Sequence, residues 1–168
     1  FIMKMRKGFT LVELLIVIVI IGILAAAMLL SSGSATASAE ASNIVSNLRS
    51  LKAATMMFYA DSMDAVAAAN GQLPGTVTVD ALKGYTDNPE RFADGKGYLF
   101  KSNGNKNWFV GVDLEKLKMS STMDEVMKKL EGKKETLALI STTDATNAPA
   151  NTTPSITTSH KVVWMVAR

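Results

Sequence analysis

Few residues in this 168-residue chain could do chemistry, and they are scattered. Cysteine is absent, which removes thiolate nucleophiles, thiolate metal sites and disulfides. His160 is the single histidine, just ahead of a valine-rich run, where a structural or exposed role outweighs catalysis. Serines are abundant but have no general base near them in sequence, and no glycine-rich phosphate loop occurs. "DNPERFADGKG" offers Asp87, Glu90 and Asp94 as oxygen ligands of the kind calcium takes, but their spacing follows no strict pattern. They are a weak candidate, and the expectation is no metal, no cofactor and no enzyme activity. The most demanding residue is Glu13. It opens a run, Leu14 to Leu30, that contains no charge at all. A carboxylate inside a membrane segment costs a few kcal/mol unless it is protonated or paired, so it calls for a functional reason.

The element around Glu13 comes next. Phe9 to Leu30 is 22 residues. As a helix that is about 33 Å, enough to cross a bilayer core of about 30 Å. The β-branched "IVIVII" is a poor helix former in water, but in lipid every backbone group must bond internally. Lys4, Arg6 and Lys7 precede the run and Glu40 is the next charge after Glu13, so the N-terminus is expected to stay in the cytoplasm. Two plain readings fit this layout. One is a secretory signal peptide cut after Ala37-Ser38-Ala39, and the other is a signal anchor. Neither accounts for Glu13. Because Met3 and Met5 closely follow Phe1, the natural start is expected to differ from Phe1.

The stretch "KGFTLVELLIVIVIIGILAAAM" resembles the N-terminus of type IV prepilins and of the related type II secretion pseudopilins. The matching features are a basic leader, Gly8, the aromatic Phe9, then Thr10, Leu11, Val12 and Glu13, and the apolar run. The motif is specific and covers about 25 residues. The resemblance implies cleavage between Gly8 and Phe9 by a prepilin peptidase/methyltransferase, and N-methylation of Phe9. It also implies an assembly role for Glu13 as the partner of a neighbouring subunit's Phe9 amine. In low dielectric such a pair attracts strongly but costs heavy desolvation, so it sets register more than it adds stability. The sequence departs from the family in one respect. Many pilins carry a proline late in the helix, but position 30 is leucine and the first proline is Pro74. Gly22 and Gly33 are the soft points that remain.

Beyond the apolar run, residues 35–69 are expected to continue as a helix. Its stripe is Ile44, Leu48, Leu51, Phe58, Met63 and Val66, widened by Val45, Met56 and Tyr59. Asn70-Gly71 and Pro74-Gly75 stop it. A short strand is expected at Thr76–Val79 and a helical turn near Asp80–Leu82. A hairpin of Tyr98–Lys101 and Trp108–Val112 turns at Asn103-Gly104-Asn105. Thr122 and Glu125 form a capping box for a helix whose apolar face is Met123, Val126, Met127 and Leu130, ending at Gly132. Strands at Thr136–Ile140 and Lys161–Val166 flank a Ser/Thr/Asn/Pro loop of about 19 residues, of a length that is usually functional or mobile. It holds the sequon Asn151-Thr152-Thr153, though such sequons arise often by chance. Phe9, Phe58 and Tyr59 are better read as packing residues than as an electron path.

The fold class is therefore α+β on the pilin plan: a long N-terminal helix, its apolar half protruding, packed on an antiparallel sheet of about four strands. The expected domains are a leader (1–8), a transmembrane and assembly helix (9–30), an amphipathic helix (31–70) and a head (71–168). From Gly8 onward the chain carries 15 basic and 15 acidic residues, a balance that argues against a nucleic-acid surface. The implied function is the major structural subunit of a type IV pilus. Its partners would be the peptidase, the inner-membrane assembly machinery, the lipid bilayer before assembly and other copies of itself in a helical filament. Its place would be the bacterial inner membrane, head periplasmic, and then the cell surface. The alternatives are a pseudopilin or minor pilin and, in a different class, a single-pass anchored or secreted binding domain.

Overall fold

A computed structural model describes residues 8–68, 70, 77–103 and 106–168, the side chains of 30–32 excepted. Residues 1–7, Gly71, Pro74-Gly75, Thr76 and Gly104-Asn105, on which parts of the expectations above rest, lie outside the described residues. The chain divides into two compact units, Phe1–Ala35 and Thr36–Arg168. Helix α1, Leu11–Asp61, supplies most of the first unit and opens the second.

Within the second unit, α1 buries Ala37, Ala41, Ile44, Leu48, Leu51 and Ala54 in the main core. The three- and four-residue steps keep these positions on one face. Three of the six are alanines, which a search for large apolar residues overlooks. Hydroxyl residues sit in the helix by bonding back one turn: Ser42 to Ser38, Ser50 to Ser46, and the buried Thr55 to the Leu51 carbonyl at 2.8 Å. Two expected stripe residues are corrected. Met56 and Met63 are about half exposed, whereas Phe58 and Tyr59 do pack against the core. The expected continuous helix is also broken at Ser62, whose amide is shared between the Phe58 and Tyr59 carbonyls. A short helix, α2 (Met63–Ala68), follows, and Asn70 takes a left-handed conformation at φ 55°.

Four antiparallel strands form one open sheet in the order β1-β2-β4-β3: β1 Tyr98–Ser102, β2 Trp108–Asp113, β3 Leu139–Thr142 and β4 Val162–Val166. Side chains alternate between its faces with period two. Trp108, Val110, Val112, Val163 and Met165 join the core with α1. Phe109, Ile140, Val162 and Trp164 form a second cluster on the opposite face. β1 and β2 pair as the expected hairpin, Phe100 opposite Val110. The described part of the strand expected at Thr76–Val79 is corrected: Val77 and Thr78 are irregular, and Val79 opens a 3₁₀ helix, Val79–Tyr85. A second one, Pro89–Phe92, buries Phe92 against Tyr98. Helix α3, Met123–Glu131, has the expected Thr122–Glu125 capping box. The expected strand from Thr136 begins instead at Leu139, because Lys134–Leu137 forms one more helical turn, α4, ended by Ala138 at φ 49°.

The backbone of the long loop is tied to the sheet at several points, while most of its residues stay exposed. Ser155 bridges the free edge of β3, with its amide on the Leu139 carbonyl at 2.9 Å and the Ser141 amide on its own carbonyl at 2.8 Å. Ser141 Oγ accepts the Thr157 amide and lies 2.8 Å from His160 Nδ1, which gives the single histidine a structural task. Ala145 and Ala148 cover the second cluster, and Asn103 donates to the Pro149 carbonyl across the sheet. With no disulfide, Arg168 fixes the last strand. Its backbone pairs with Trp108, and its guanidinium lies 3.9 Å from the Tyr59 ring centroid.

Two measurements test this packing. Gly111 faces Trp164 across the β2–β4 register, and a Cβ there would meet the indole at 2.4 Å. The Trp164 ring is fully buried and cannot retreat. Gly111→Ala should therefore destabilise the detergent-solubilised chain by about 1–3 kcal/mol in denaturant unfolding. Glu40 ties α1 to the segment before α3 by accepting the Ser120 and Ser121 amides at 2.6 and 3.2 Å. The Ser120 amide is the main cause that holds the Glu40 carboxyl below its ordinary value. A carboxyl lowered in the folded state contributes stability that is present above its unfolded pKa and lost as pH falls through its folded one. Thermal melts should show this loss on acidification, and Glu40→Gln should flatten that part of the profile.

Candidate functional site

The candidate site is the N-terminal stretch from Gly8 to Glu13 with the apolar helix that follows. Thr10 stands one residue before the helix, and its carbonyl accepts the Leu14 amide, the first bond of the ladder. Glu13 is the third helical residue. Its Oε2 accepts both the Thr10 amide at 2.8 Å and the Thr10 hydroxyl at 2.7 Å, and the Glu13 amide donates to Thr10 Oγ1 at 3.2 Å. This is a reciprocal capping box. It satisfies two backbone N–H groups that the start of a helix leaves open. The sequence carries the same Thr-x-x-Glu signal at this point as at Thr122–Glu125. The carboxylate is thus partnered within its own chain. Among the described residues its second oxygen, Oε1, has no bond.

Around this cap the apolar side chains lack any cover. From Phe9 to Leu29 the large hydrophobic residues are 47–87% exposed, Phe9 most of all. Leu11–Asp61 is the one candidate membrane span among the described residues, by length and composition. Gly8 has nothing within 4 Å of where a Cβ would sit, so nothing in the fold requires glycine there. The same holds for Gly22, which costs the helix about 1 kcal/mol relative to alanine.

The other candidates do not form a site. Among the described residues no three His, Asp or Glu side chains gather as a metal group, so Asp87, Glu90 and Asp94 are not brought together. Asp94 is engaged locally instead: its amide donates to Asp80, and its carboxylate accepts the Gly95 amide. Tyr59 packs edge-on against Trp108, and Phe58 packs edge-on against Tyr85 and Phe100 and tilted against Trp108, at 5.7 to 6.2 Å between centroids.

Hydrogen exchange tests the cap. Thr10→Val should leave the Glu13 amide unprotected in micelles, whereas Thr10→Ser should retain protection close to that of the parent chain.

Residues 3–29 match the family model described as the prokaryotic N-terminal methylation motif. No curated protein and no solved structure matches the chain. The match covers the basic approach, the Gly8–Glu13 stretch and nearly all of the apolar run, and the long helix with a four-stranded antiparallel sheet fits the α+β plan expected of a pilin. The motif implies processing by a prepilin peptidase, and with the apolar helix it points to membrane anchoring. By that motif, residues 3–29 of the chain carry a class III, prepilin-type signal, and the apolar helix runs directly on from it.

Proposed function

We propose that this chain is the major subunit of a type IV pilus. It would be held in the inner membrane by residues 9–30, with its leader (1–8) in the cytoplasm and its head on the far side. Cleavage between Gly8 and Phe9 would release the Phe9 amine for methylation. The observation that carries this reading is the methylation motif followed by an apolar helix with no cover of its own. Gly8 supports it, since a glycine that the fold does not need suits a backbone that must enter a peptidase site. In the membrane, lipid would cover the helix. In the filament, other copies would cover it, so the burial is exchanged rather than lost.

Glu13 takes its place in this scheme through its free Oε1. The Phe9 amine of a neighbouring copy would approach that oxygen while Thr10 keeps hold of Oε2. The role is structural, not enzymatic, and the heads would form the outer surface.

N-terminal analysis of the native protein tests the proposal. N-methyl-Phe9 as the first residue of sheared surface filaments is the expected result. A start after Ala39 would point to an ordinary signal peptide, and an intact leader to a plain anchor. N-methyl-Phe9 in a protein confined to the envelope would point to a pseudopilin. Glu13→Ala should leave insertion and cleavage intact and abolish filaments, and normal filaments from that variant would contradict the pairing.

A further inference from the structure

The head is neutral in sum but not in layout. Between Asp61 and Asp94 the chain carries six acidic residues and two basic ones, Lys83 and Arg91. Two of the acids are exposed at the ends of the turn 87–90: Asp87 just before the 3₁₀ helix Pro89–Phe92, and Glu90 in its first turn. Among the described residues neither carboxylate has a hydrogen bond or an ion pair. Elsewhere on the head, a groove of ≈ 340 Å³ runs between α1 and the segment from Gly132 to Leu137. Ser42, Ser46, Arg49, Lys133 and Thr136 line it, and no carboxylate does. Arg49 is exposed and has no hydrogen bond or ion pair among the described residues. Lys133 Nζ meets only a neutral partner, Ser42 Oγ at 3.2 Å. The nearby Lys134–Glu131 pair leaves both groove cations unneutralised.

We propose that this groove is a docking site for the Asp87–Glu90 turn of a second copy of the chain. A guanidinium and an ammonium would face two carboxylates, with the serine and threonine hydroxyls of the groove as further donors. The charge complement sits on the same chain but on a different surface. The contact is therefore heterologous: each copy offers a turn to one neighbour and a groove to the next. Such contacts propagate into an open chain unless the rotation closes. The inference rests on the filament reading above and supplies it with a head-to-head contact. Because the charges are exposed, the contact should weaken as salt rises.

The absence of cysteine makes a clean test possible in the full-length chain, produced in cells that process and assemble it. Lys133→Cys and Glu90→Cys are placed in the same chain and treated with a short thiol-to-thiol cross-linker. The expected product is a ladder of dimers, trimers and higher species, and neither single variant should give one. Charge reversal gives an independent measurement. Arg49→Glu with Lys133→Glu should lower filament yield about tenfold or more. Adding Asp87→Lys and Glu90→Lys should restore it, with unchanged melting temperature as the control for folding. Filaments that carry N-methyl-Phe9 but give no ladder would overturn the docking and leave the pilus reading standing. A single dimer band would overturn its open-ended form. Failure of the second pair of reversals to restore assembly would overturn the charge match. An uncut leader with no filaments would instead count against the pilus reading itself.

Discussion

Everything about this molecule turns on apolar surface that its own chain does not cover. Phe9 to Leu29 carries a nearly unbroken series of large hydrophobic side chains, each about half exposed or more. Full burial of one such side chain is worth about 1.5–3 kcal/mol, so the series cannot stay in water. Only lipid or other protein can cover it. The head has no such deficit. Its two tryptophans are fully buried, one on each face of the sheet, and its long loop lies over the second face. One chain thus joins a self-sufficient head to a segment that must find a partner.

Glu13 qualifies that constraint. An unpaired carboxylate at the start of an apolar helix would be expensive. The Thr10 cap lowers this cost locally by giving one carboxylate oxygen two donors and using the other residue's hydroxyl to hold the Glu13 amide. The helix start and the carboxylate satisfy each other. What remains open, Oε1, is a defined position rather than a mobile charge. A group arranged in this way suits a register contact better than a stabilising one, because desolvation offsets most of the attraction between buried ions.

Much of this was legible in the sequence, for identifiable reasons. The N-terminal signal is a string of residue types at fixed spacing, and spacing survives without coordinates. The hairpin and the Thr122 cap were legible because turn and cap chemistry is local. The misses come from tertiary context. Ala37, Ala41 and Ala54 are buried in the core that α1 shares with the head, and their small side chains give no strong periodic signal. Met56 and Met63 have the right spacing and hydrophobicity for the core, but about half of each stays exposed. The β3 start shifted to Leu139 because Lys134–Leu137 has helical residues that strand-seeking patterns ignore. The composition of the long loop gives no sign that Ser155 completes a sheet edge or that its alanines pack against the Trp164 cluster. Polar composition describes what a loop can tolerate, not where the chain around it obliges it to lie.

The account joins a covered head, an uncovered helix and a carboxylate with one oxygen to spare. Its central claim is that the spare oxygen meets the Phe9 amine of another copy inside a bundle of these helices. The most direct measurement is the structure of the assembled filament, resolved well enough to place Glu13 and Phe9. The account predicts helices buried at the filament centre, with a Glu13 oxygen within about 4 Å of a neighbour's Phe9 nitrogen, the reach of an ion pair. A filament in which residues 9–29 lie on the outside, or in which Glu13 meets only its own Thr10, would contradict it.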